Sequence, residues 1–144
     1  MRINAANAYI INPQGINLHD CILEGIRFDR IKKELCLEVL DNRNAEYSKG
    51  RCSTWIGQGQ HSILFRQVIG FEMTACDFWG MSPYIFDFEY TNSKDSPLIA
   101  KLFAEIERGN YDSCCLKSRA HYFQTTMTFS SGDRLTIASG QIEI

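Results

Sequence analysis

His19 and Asp20 stand side by side, and a carboxylate next to an imidazole can orient a general base or a metal ligand. Neighbouring side chains on a strand point to opposite faces, however, so the two would not meet there. In a loop ahead of a strand, Asp20 would instead accept backbone N–H bonds at the strand entrance, and that structural role is expected. Asp87 and Glu89 share a strand face at a Cβ separation of about 7 Å, which would suit a two-carboxylate hydrolase. Alternation also places them on a solvent face opposite an aromatic stripe, and this plainer reading is preferred. His19, His61 and His121 are too dispersed for a metal site by spacing. The six cysteines (Cys21, Cys36, Cys52, Cys76, Cys114, Cys115) form no Cys-x-x-Cys pair, and the adjacent Cys114–Cys115 reads as two thiols of a loop. No phosphate-cradling glycine loop or Gly-x-Ser-x-Gly elbow is present. The expectation is a protein without catalytic residues, metal or cofactor, and not an enzyme.

Strands must position these groups, because the dominant period is two. Phe123, Met127 and Phe129 share a face with Thr125; Ser130 to Asp133 then supply a turn with Gly132, and Leu135 and Ile137 resume the face. The apolar parity switches to Ile142 and Ile144, which predicts a bulge near Gly140. Ile22, Ile26 and Phe28, with Glu24 on their parity, pair as a hairpin with Leu35, Leu37 and Val39 through a turn at Asp29 to Lys33. Residues 61–76, with Ile63, Phe65, Ile69, Phe71 and Met73, read as a central strand or two strands bent near Gly70. Tyr84, Phe86, Phe88 and Tyr90 place four aromatics on one face, expected to pack beneath a helix.

That helix has Ser96 as cap, Pro97 at its first position and Gly109 at its close. Leu98, Ile99, Leu102, Phe103 and Ile106 form its apolar stripe, wide enough to pack on a sheet face. The polar stretch 42–60 is a loop with a short edge strand around Arg51 to Ile56. The predicted fold is α+β: a single domain over 1–144, mainly antiparallel sheet in next-neighbour order, strongly curved or barrel-like as one option, covered by one amphipathic helix.

The chain has 144 residues, 44% hydrophobic and 22% charged, enough to bury about two-thirds of its extended surface without disulfides. A net charge of −2 excludes a nucleic-acid binder working through a broadly basic surface. Arg27, Arg30, Lys32 and Lys33 make a local basic run, broken by Asp29 and Glu34, that reads as a solvated turn. No stretch reaches the ~20 apolar residues of a membrane helix, and the first residues lack a signal-peptide core, so a cytoplasmic protein with reduced thiols is expected.

Leu18-His19-Asp20 followed by Leu23 and Ile26, Phe65-x-x-Val68, Asp77-Phe78-Trp79-Gly80 with Ile85, and Ser131-Gly132-Asp133 leading into Ile137 together resemble a group of small uncharacterised bacterial proteins. The resemblance touches residues 18–41, 61–91 and 120–144, and some relatives look like immunity proteins that neutralise toxins exchanged between bacteria. Together with the small size, the lack of catalytic motifs and the acidic pI of about 5.9, it points to a non-enzymatic binding protein whose partner is a protein, toxin-like or, through an open sheet edge, a second copy of the chain; charge and hydropathy point to no nucleic acid and no membrane. Candidate contacts are Tyr47, Trp55, Asp87 and Glu89, since exposed aromatics anchor interfaces and acidic groups steer a basic partner. The alternative is a small-molecule site or minor enzyme with a pocket between helix and sheet, lined by Trp79, Phe86 and Phe88 and supplied with His19, Asp20 and Asp77.

Overall fold

A computed structural model describes residues 1–43, 56–74, 84–109 and 115–144 of the chain. The predicted strand around 51–56, except Ile56, lies outside them. The described strands form two antiparallel sheets and do not close into a barrel. The first contains β1 (Arg2–Asn4), β2 (Ile22–Asp29), β3 (Glu34–Asp41), β4 (Gly59–Arg66) and β9 (Gln141–Glu143), in the order β1-β9-β4-β3-β2. The second contains β5 (Gly70–Met73), β6 (Ile85–Asn92), β7 (Phe123–Phe129) and β8 (Arg134–Ser139), in the order β5-β8-β7-β6. One α-helix is present among the described residues, α1 (Pro97–Glu107). The α+β class therefore holds. The next-neighbour order holds only for β2-β3-β4 and β6-β7-β8; β9 inserts between β1 and β4, and β5 pairs with β8.

Alternation explains the main core. Leu35 faces Phe65 and Leu37 faces Ile63 across β3 and β4, and directly opposed residues share a face. Thr125 faces Ile137 and Met127 faces Leu135 across β7 and β8. These two faces meet in one buried cluster that also takes in Ile3 and Ile142, opposed across β1 and β9, so the two ends of the chain contribute to one core. Each such side chain contributes roughly 1.5–3 kcal/mol relative to leaving it exposed. Ile11, Ile16 and Leu18, on the segment ahead of β2, join the same cluster.

At Gly140 the structure has a crossing where the sequence predicts a bulge. The chain leaves β8 in the second sheet at Ser139 and enters β9 in the first at Gln141. Side chains approaching one core from opposite sheets must switch parity, which is the pattern Leu135 and Ile137 make with Ile142. A Cβ at Gly140 would press into Gln67 Oε1 and His121 Nε2, which bond to each other at 2.6 Å, so a side chain at the crossing would displace that pair. The stretch 61–76 bends in the same way: β4 ends at Arg66, Gln67 takes a φ of +54°, and β5 begins at Gly70 in the other sheet.

Bulges do occur, at other positions. In β6 the register shifts between Ile85 and Asp87, so Ile85 and Phe88 both point inward while Phe86 is left 59% exposed. The four-aromatic stripe is therefore broken, and Phe88 is buried between the sheets and not beneath the helix. A second shift between Leu23 and Gly25 takes Glu24 out of step, which resolves its awkward parity in β2.

The helix forms where the sequence places it. Ser96 Oγ accepts from the Ile99 N–H at 3.0 Å and donates to Gln124 Oε1 at 2.6 Å; Pro97 follows, and Gly109 closes the end at a φ of +76°. α1 packs on β5, β7 and β8, on the outer face of the second sheet. Leu98, Ile99, Tyr122 and Ala138 form a second, smaller buried cluster there. A Cβ at Gly70 would lie 2.7 Å from Leu102 Cδ1, so the glycine lets the helix approach the sheet edge.

Candidate functional site

The apolar stripe of α1 is not seated evenly. Leu98 and Ile99 in the first turn are buried, whereas Leu102, Phe103 and Ile106 further along are only partly so. Beneath that second half lies a cavity of about 600 Å³. Its apolar lining is Val68, Ile69, Leu102, Ile106, Leu116 and Tyr122, which come from the β4–β5 corner, the helix and the segment leading into β7. Such a volume falls within the roughly 300–1,000 Å³ of small-molecule sites.

The polar part of the lining is mostly lysine. Lys32 and Lys33 come from the β2–β3 turn and Lys117 from the segment leading into β7, and Gln67 and Cys115 complete the polar lining. Their backbones are fixed: Asp29 Oδ1 accepts from the Ile31 and Lys32 N–H groups at 3.0 and 2.9 Å, and the Lys33 carbonyl accepts from Val68 N–H at 2.9 Å. The Lys117 N–H donates to Tyr122 Oη at 2.9 Å. Among the described residues none of the three ammonium groups pairs with a carboxylate, whereas Lys101 pairs with Glu72 at 2.9 Å and Arg66 with Glu34 and Glu143.

The residues singled out by sequence fall in three places. His19 and Asp20 do meet, against expectation. Asp20 takes a φ of +66°, which turns its side chain back, and Asp20 Oδ2 lies 3.6 Å from His19 Nε2. Phe86 joins them: His19 Nδ1–H donates to the Phe86 carbonyl at 2.6 Å, and the two rings meet edge-on at 5.7 Å. Nδ1 of His19 is thus engaged by the backbone, while Nε2 faces the Asp20 carboxylate on an exposed surface. Phe88 is in the core, away from this surface. Asp87 and Glu89 lie together on the outer face of the second sheet; the hydrogen bond between them and the charge of Asp87 push the Glu89 carboxyl above its usual range. Tyr47, Trp55, Asp77 and Trp79 lie outside the described residues.

Beneath His19, Asp41 and Arg43 form a buried ion pair. Arg43 donates to both carboxylate oxygens, at 2.9 and 2.7 Å, and reaches Asn17 Oδ1 at 2.9 Å and the His19 carbonyl at 3.1 Å. Burial pushes the neighbouring Cys21 thiol up to about 12 and keeps it neutral, with Arg43 pulling the other way. The cluster ties the loop ahead of β2 to the end of β3. An Asp-x-Arg spacing at the end of an apolar strand, where i and i+2 share a face, is the signal that marks it in the sequence. The lysine cavity has a fainter signal, a basic turn whose neighbour across the fold lies far along the chain.

Among the described residues no group of three or more His, Cys, Asp or Glu side chains could hold a metal ion, and no helix is long and apolar enough to cross a membrane. No family model, curated protein or solved structure matches the chain.

Proposed function

We propose that this chain is a binding protein for small apolar molecules, taken up in the cavity beneath the second half of α1. The observation that carries the reading is the 600 Å³ of space lined mainly by apolar side chains where a packed helix–sheet contact would be expected. Among the described residues one core is packed to near-zero exposure while none fills this volume, and a ligand there would supply the missing dispersion contacts. The cavity sits between helix and sheet, the place considered from sequence, but its lining differs from the aromatic set expected there. Titration with the neutral fluorophore N-phenyl-1-naphthylamine tests the reading: saturable emission is expected in the parent chain, with loss in Ile106→Trp, which fills the space. No saturable binding, or equal binding by the filled variant, would refute it.

A protein partner of basic surface is the second reading, favoured by Asp87 and Glu89. The hydrogen bond from Glu89 to Asp87 and then the Asp87 charge raise the Glu89 carboxyl in the free chain, and a cationic group docked beside them would favour the ionised pair. A toxin-like basic nuclease is the form the family resemblance gives this partner. Salt-sensitive binding to purified basic nucleases that disappears in Asp87→Asn/Glu89→Gln would support it; binding unaffected by the double substitution would refute it.

A further inference from the structure

We infer that the ligand of this cavity is a single-chain amphiphile with an anionic head, a carboxylate or phosphate monoester held by Lys32, Lys33 and Lys117, an inference that rests on the cavity being a binding site. Lysines from two segments some eighty residues apart in sequence converge on one apolar space. Among the described residues no carboxylate lines the cavity and none forms an ion pair with the three ammonium groups. A net charge of −2 means this local excess is no by-product of a generally basic protein. Two neutral polar groups of the lining have protein partners: Gln67 Oε1 bonds His121 Nε2 at 2.6 Å, and Tyr122 Oη accepts from the Lys117 backbone.

The backbone bonds to Asp29, Val68 and Tyr122 hold the three lysine backbones at the cavity, leaving the exposed side chains free to reach a bound head group. Ammonium groups act as point charges with rotatable donors, which suits an anionic head of either shape. The tail would lie against Ile69, Leu102, Ile106 and Leu116, the apolar part of the cavity lining. Removing side-chain charge at the three lysines leaves every one of those backbone bonds in place, so binding and folding are separable.

Displacement of N-phenyl-1-naphthylamine at sub-micellar concentration, using one ten-carbon tail with four heads, tests the inference. Decanoate and decyl phosphate should each bind about tenfold more tightly than decanol, the modest gain expected of solvent-exposed ammonium groups, and decyltrimethylammonium should bind most weakly. Added salt should weaken the two anions and leave decanol unchanged. In Lys32→Gln/Lys33→Gln/Lys117→Gln the anions should fall to the decanol level while decanol keeps its affinity; Lys117→Gln alone should show a smaller loss of the same kind. Preference for one anion over the other identifies the head. Decanol equal to both anions in the parent chain would overturn the head-group inference while leaving the cavity reading intact, whereas failure of all four ligands and of the fluorophore would overturn both.

Discussion

On its inner face the second sheet presents Phe88, Phe123, Met127, Leu135 and Ile137, none more than 1% exposed. On its outer face the helix brings an equally apolar stripe, yet Leu102 and Ile106 remain half-buried beside a 600 Å³ cavity, while the half-buried Phe103 packs on Tyr122. Hydropathy is therefore not what separates the two layers. The inner one is clamped by paired strands on both sides, so a void there has no relief; the outer one is a single helix that touches the sheet at Leu98, Ile99, Leu102 and Phe103 and leaves space beside Leu102 and Ile106. A close-packed layer specifies the fold, and a loosely filled one leaves room for a ligand.

Large-to-small substitutions should show this contrast most strongly. Phe88→Ala should cost about 3–5 kcal/mol, since its neighbours in both sheets cannot collapse into the space. Leu102→Ala should cost about 1–2 kcal/mol, because part of its surface already faces the cavity. Urea midpoints measure both, and equal losses would erase the distinction between the layers.

The cations divide in the same way. Arg43→Met should cost about 3–5 kcal/mol by leaving the Asp41 carboxylate buried without its partner. The triple lysine-to-glutamine variant should stay within about 0.5 kcal/mol of the parent, because no ion pair is lost. Thermal melts at neutral pH would check both, and a large loss in the lysine variant would show those charges to be structural.

Ser96→Ala should cost about 1–2 kcal/mol, since it removes the cap of the helix and a buried bond to Gln124. If the first turn is the seat of the helix, N-phenyl-1-naphthylamine affinity should fall along with stability; a stable variant with unchanged affinity would place the seat elsewhere. The smallest effect is at Glu89. Its carboxyl is raised in the folded chain, so the stability it contributes is present below the ordinary carboxylate range and lost as pH rises through the raised value. Glu89→Gln should therefore leave stability at neutral pH equal or higher by a few tenths of a kcal/mol and flatten the mildly acidic part of the pH profile. A clear loss at neutral pH would mean the carboxylate is held by a favourable contact.

The strands of both hairpins and the capped helix could be read from sequence because their signals are local: alternation in Leu35, Leu37 and Val39, and Ser96-Pro97 ahead of a helical stripe. The sheet assignments could not, since parity alone does not distinguish a bulge at Gly140 from a passage into another sheet. The β6 bulge was hidden for a related reason: Phe86 and Phe88 share parity, and one extra residue in the ladder sends one outward and the other into the core. His19 and Asp20 meet because Asp20 adopts a positive φ, which no alternation rule foresees. The cavity was least legible, because Lys32 and Lys33 look like an ordinary solvated turn until the chain brings Lys117 and Ile106 across from them.

Methyl-resolved NMR spectra recorded while decanoate is titrated into the labelled chain would test the cavity reading most directly. The expected result is saturable shifts at Val68, Ile69, Leu102, Ile106 and Leu116, with Leu35 and Ile63 in the inter-sheet core unmoved. Shifts confined to the exposed Ile26, Ile31 and Met73, or no saturable shift at any methyl, would contradict it.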